Sequence, residues 1–140
     1  MQELLCRKNV CVNCVPDTKE NIVKKVGQML VDSGYVEPSY VDAMLLREEV
    51  VSTYMGNGLA LPHGVEASKK EVKASGIAVM TFPEGTDWGN EKAHIVIGVA
   101  GVGEEHIEIL ALIAEKILDE GTMKQLMHGD ADTVYRILSK

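Results

Sequence analysis

Aromatic side chains are scarce: 140 residues carry one Trp, one Phe and four Tyr. The core must therefore be built from Val, Ile, Leu, Met and Ala. Long apolar runs are also missing, since none approaches the about 20 residues needed to cross a bilayer. The opening Met1-Gln2-Glu3-Leu4-Leu5-Cys6-Arg7-Lys8 lacks the apolar stretch of a signal peptide. A cytoplasmic protein with no direct membrane insertion is expected. Positive charge is short, at 14 Lys and Arg against 21 Asp and Glu, for a net charge of −7. That balance argues against nucleic acid and against an anionic membrane surface, both of which call for a basic face.

Cysteine is limited to Cys6, Cys11 and Cys14, an odd and one-sided set that makes no disulfide framework. Cys11 and Cys14 form a C-x-x-C. The flanking Val10–Val15 reads as a strand, and three steps along a strand point side chains to opposite faces. Buried structural thiols are therefore expected rather than a metal or redox pair, and no second pair completes a zinc site. There is no G-x-x-x-x-G-K-[ST] loop for a nucleotide, and no G-x-S-x-G elbow or H-E-x-x-H motif for a hydrolase.

What is present fits one domain of 1–140. A strand is expected over Asn9–Val15. A helix follows, capped by Asp17 or Thr18 with Glu20 completing a capping box. Its apolar face is Ile22, Val23, Val26, Met29 and Leu30, and Gly34 stops it. Pro38 and Ser39 open a second helix bearing Val41, Met44, Leu45 and Arg47. Strands are expected at Gly58–Leu61, Gly76–Phe82 and His94–Ala100, with a turn at Pro83-Glu84-Gly85. The last two runs are apolar enough to be covered on both faces. The strongest helix spans Glu104–Glu120, with Ile107, Leu110, Ala111, Ala114, Ile117 and Leu118 as its stripe. Two short helices near Thr122–Met127 and Asp130–Leu138 close the chain. The order predicts an α/β domain: a mixed sheet of four to five strands flanked by helices on both faces.

His63 is the most informative residue. Pro62 cannot continue a sheet ladder and holds Leu61 extended, so the strand delivers His63 to the sheet rim. Gly64 leaves room beside the imidazole. A neutral imidazole is a nucleophile at cellular pH, and one ring nitrogen can attack while the other fixes the tautomer. Leu59, Leu61 and Val65 are expected to help form a docking surface around it. His94 and His128 read as peripheral, while Trp88 and Tyr54 are left as core or interface residues.

The segment Ser52-Thr-Tyr-Met-Gly-Asn-Gly-Leu-Ala-Leu-Pro-His-Gly64 closely resembles the active-site segment of enzyme IIA of the bacterial sugar phosphotransferase system, mannitol/fructose class. The resemblance continues through Gly34–Met44, Arg47-Glu48, Phe82–Gly85, Ile95–Gly98 and Glu105-His106-Ile107. It implies that His63 receives phosphate from the histidine-containing phosphocarrier protein and passes it to a cysteine of enzyme IIB. It implies a second active-site histidine at His106, steadying the phosphoryl group, and a phosphate-binding arginine at Arg47. The alternative for Arg47 is a surface salt bridge with Glu48 or a nearby acid. Asn57 is carried as a phosphate-binding candidate, although some mannitol-type members have an acidic residue there; its plain alternative is a turn residue in Gly56-Asn57-Gly58. The resemblance implies direct protein-to-protein transfer without ATP or metal, in uptake of a sugar alcohol, with mannitol favoured by Tyr35–Pro38 and Phe82–Gly85. The competing reading is a regulatory protein of the family's nitrogen-related branch, whose partner contacts depend on phosphorylation of His63.

Overall fold

A computed structural model of the chain describes residues 5–50, 52–64, 70–89 and 91–139, with the side chain of Val50 left aside. Ten elements follow in order: β1 (Val10–Cys11), α1 (Lys19–Asp32), α2 (Ser39–Val50), β2 (Tyr54–Gly56), β3 (Leu59–Ala60), β4 (Gly76–Trp88), β5 (Glu91–Ala100), α3 (Glu105–Ile117), α4 (Glu120–His128) and α5 (Ala131–Leu138). The five strands make one mixed sheet in the order β1-β4-β5-β3-β2. The β1–β4 and β3–β5 pairs are parallel, and β4–β5 and β2–β3 are antiparallel.

Both sheet faces are covered, as the apolar runs require. Alternation sends Leu59, Leu61, Ile77, Val79, Ile95, Ile97 and Val99 to one face, where they pack with residues of α3, α4 and α5. Ala60, Ala78, Met80, Phe82, Val96 and Ala100 take the other face, against α1 and α2. Small residues on that second face let α1 come close. A Cβ on Gly98 would sit 3.0 Å from both methyl carbons of Val26. Thr18 caps α1 by accepting from the Asn21 N–H, so Asn21 rather than Glu20 holds the third helical position and the expected capping box is absent.

Three expectations change. The Pro83-Glu84-Gly85 segment does not reverse the chain; β4 runs through it, with a register shift between Thr81 and Thr86 and Gly85 at φ +83°. A proline without an N–H fits such an irregularity, where the ladder is already interrupted. The α3 stripe is rotated: Ile109, Ile113 and Ile117 face the core, while Ile107 and Leu118 are exposed. The helix is apolar on more than one face, so periodicity alone does not choose between them. Finally, Cys11 is exposed and Cys14 half-buried, with their sulfurs 3.2 Å apart. Strand alternation fails here because β1 ends at Cys11 and Asn13 adopts a left-handed φ of +54°.

Candidate functional site

The chain leaves β3 extended through Pro62. His63 then forms a parallel bridge with Val99, and the Pro62 carbonyl accepts from the Val99 N–H at 2.9 Å. His63 therefore stands at the C-terminal rim of the sheet, as the Pro-His-Gly pattern predicts. Its Nδ1–H donates to the Leu61 carbonyl at 2.8 Å. That bond fixes the tautomer and leaves Nε2 with its lone pair. Tyr40 locks the backbone on either side. Its buried hydroxyl accepts from the Gly64 N–H at 2.9 Å and donates to the Val99 carbonyl at 3.0 Å.

His106 enters from the first turn of α3. The two imidazole centroids are 6.5 Å apart and tilted by 32°, so a group bonded to one ring is within reach of the other. His106 Nδ1–H donates to the Gly103 carbonyl at 3.3 Å. The approach to α3 is held by Ser75, whose hydroxyl donates to the Glu105 carboxylate and accepts from the Val102 N–H at 2.9 Å. Gly101 is tighter still: a Cβ there would lie 2.2 Å from the His106 nitrogen and 2.5 Å from its Cα. Backbone cannot give way as a flexible side chain does. Gly101→Ala is therefore expected to displace His106 and to cost about 1–3 kcal/mol, as overpacking typically does. Chemical denaturation checks the stability loss, and the NMR shifts of the His106 ring check the displacement. An unchanged midpoint and unchanged shifts would contradict the close packing.

Arg47, on α2, acts electrostatically on the same ring. The pKa of His63 is held below the usual imidazole range, chiefly by burial; the Leu61 carbonyl opposes this, the charges of Arg47 and His106 add to it, and Glu48 opposes it. The lowered value keeps His63 neutral, hence nucleophilic, further into the acid range than a free imidazole. Reaction of the His63 imidazole with an electrophile should rise as pH climbs through that lowered pKa and then level off. Arg47→Gln removes one cause of the lowering, so the titration midpoint of His63 should move up in an NMR pH series. No movement, or movement down, would mean that Arg47 does not act on the ring.

Glu48, next to Arg47 in the sequence, is engaged in the interior. It is buried, and its carboxylate accepts from Trp88 Nε1 at 2.8 Å, from Thr53 Oγ1 at 2.6 Å and from the Thr53 N–H. It joins α2 to β4 and to the segment before β2, and Trp88 is thereby a core residue. Asn57 is not brought to the site. It is exposed, at φ +55°, in the turn that joins β2 to β3. The extended chain from Leu59 to His63 covers about 13 Å, so Asn57 sits beyond the opposite end of β3. The turn reading is the one the structure favours.

Leu59 and Leu61 are buried in the core and offer no docking surface, and Val65 lies outside the described residues. The exposed apolar side chains next to the site residues are instead Leu46, adjoining Arg47, and Val102 and Ile107, on either side of His106. His94 does not face solvent freely: its Nδ1–H donates to the Phe82 carbonyl at 3.1 Å and its ring packs against Gly58 and Gly85. Tyr40, Ser75, Gly101 and buried Glu48 escaped the sequence reading. The available signal was a Tyr directly after a helix-opening Ser, since a buried hydroxyl needs partners. Among the described residues, no group of three His, Cys, Asp or Glu is gathered as metal ligands, and no helix is long and apolar enough to cross a membrane.

The structure thus sets His63 at the sheet rim of an α/β domain, with the His106 ring beside it and the charge of Arg47 acting on it. The chain belongs to the family described as phosphoenolpyruvate-dependent sugar phosphotransferase system, EIIA 2, whose model matches residues 3–140. It is 43% identical over 126 residues to a mannitol-specific phosphotransferase enzyme IIA component of Halalkalibacterium halodurans, covering 90% of this chain and 87% of that one. Its fold superposes on the crystal structure of IIA mannitol from Escherichia coli with a TM-score of 0.88 and 36% identity, covering 95% and 97% of the two chains. The same TM-score and identity relate it to a complex of enzyme IIAMTL and phosphorylated enzyme IIBMTL from Escherichia coli, with 94% of each chain covered.

Proposed function

We propose that the chain is a single phosphocarrier domain over 1–140 that serves mannitol uptake in the cytoplasm. It accepts a phosphoryl group on Nε2 of His63 from the histidine-containing phosphocarrier protein and hands it to a cysteine of enzyme IIB. The observation that carries this reading is the bond from His63 Nδ1–H to the Leu61 carbonyl, which leaves Nε2 as the nucleophile. In the first step a P–N bond forms at Nε2 as the donor's P–N bond breaks. In the second, the cysteine thiolate takes the phosphorus and His63 leaves as neutral imidazole. His106 and Arg47 hold the equatorial oxygens, over which the charge spreads in transfer. The mannitol-specific name of the relative at 43% identity supports the choice of sugar alcohol.

Reconstitution with phosphoenolpyruvate, the upstream carriers and purified enzyme IIB domains tests the proposal. Label should pass to a mannitol-type enzyme IIB faster than to a fructose-type one. Phosphorylation of the chain with no onward transfer to any permease domain would favour the regulatory alternative. Both partners must reach the same nitrogen, so they should displace one another in an NMR titration, with shifts centred on Leu46, Val102 and Ile107. Simultaneous binding would require separate docking sites.

A further inference from the structure

At the far end of the sheet lies a second reactive constellation. β1 is an edge strand paired with β4 at Val10–Val79 and Cys11–Met80. The site end of β4 is Gly76, opposite Ala100, so Cys11 is displaced from that end by about 13 Å along the strand. The Cys14 thiol contacts both the Cys11 sulfur at 3.2 Å and the Cys11 carbonyl at 3.5 Å. The turn that brings them together is fastened at both ends. Cys11 is in the ladder, and the Cys14 N–H donates to the Thr81 carbonyl at 2.8 Å. Cys6 is apart from the pair, with its thiol 3.8 Å from Ser33 Oγ.

We propose that Cys11 and Cys14 are a redox-active dithiol that closes to an intramolecular disulfide on reaction with a low-molecular-weight disulfide. Exposed Cys11 attacks first: it gives up its proton, its thiolate forms a mixed disulfide, and the expelled reagent thiolate takes up that proton. Cys14 then gives up its proton and attacks the Cys11 sulfur, expelling the second reagent thiolate, which takes that proton. The two protein thiols lose two electrons and two protons, and the reagent disulfide gains them. The order follows from the surroundings. Burial, then the hydrogen bond and charge of Cys11, push the Cys14 thiol up to about 12, so Cys14 waits protonated. Both contributions from Cys11 disappear once Cys11 is in the mixed disulfide.

Incubation of the reduced full chain with oxidised glutathione, followed by denaturation, alkylation and intact-mass measurement, tests this. The reduced chain should take three alkyl groups, one for each cysteine. The oxidised chain should take one, carry no glutathione and remain monomeric. Cys6→Ser should still close the ring, whereas Cys14→Ser should stop with glutathione retained on Cys11. Three alkyl groups at every ratio of oxidant, a ring that includes Cys6, or a disulfide-linked dimer would each overturn the proposal.

Discussion

His63→Ala is expected to take up no phosphoryl group and to keep its fold. The fold is expected to survive because the backbone around position 63 is held without the imidazole. Val99 N–H bonds to Pro62, and Tyr40 ties Gly64 to Val99. Uptake is expected to vanish because the neighbouring imidazole is differently placed. His106 points its Nδ1–H at Gly103 from a partly exposed helical turn, whereas His63 sits in the strand-end setting that lowers its pKa by burial. Incubation with phosphoenolpyruvate and the upstream carriers, then intact-mass measurement, gives the answer. One added phosphoryl mass on the variant would move the acceptor role elsewhere, and His106 would be the first residue to replace next.

His106→Ala and Arg47→Ala should slow transfer without abolishing phosphorylation. Neither residue forms the bond to phosphorus in the proposed route; each supplies positive charge or a donor to oxygens whose charge is redistributed in the transition state. Loss of one positioned donor typically costs about 2.7–4 kcal/mol, or a rate factor of order 10²–10³. The site opens at the sheet rim, where water replaces part of what is lost, so factors near 10² are expected. In the first turn of α3 the Glu105 and Ile107 N–H groups already bond to the Val102 and Glu104 carbonyls, so these two donors are taken. Quench-flow measurement of phosphoryl passage from His63 to enzyme IIB checks the rates, and long incubation should still phosphorylate His63 in both variants. Wild-type rates in both would leave the two residues as bystanders.

Local signals decided much of this molecule in advance. Leu61-Pro62-His63-Gly64 ends a strand and presents an imidazole at its rim, because proline lacks the N–H that a ladder needs and glycine leaves space. Apolar runs at 76–82 and 94–100 marked strands buried on both faces. Tertiary structure alone decided the rest. The face of α3 that turns inward follows the packing of its first turn: Gly101 lies tight against the His106 backbone, and Ser75, some thirty residues away, holds the loop before the helix. A surface salt bridge with Glu48 is one alternative that sequence leaves for Arg47, yet Glu48 is buried, and Trp88, forty residues away, and Thr53 provide its donors. The C-x-x-C reads as two thiols on opposite faces, yet Asn13 takes a left-handed φ and Thr81 fastens Cys14 across the sheet. Sequence spacing carries the period of a helix or strand. It does not carry the close approaches between elements, and those are what set the rings of His63 and His106 beside one another.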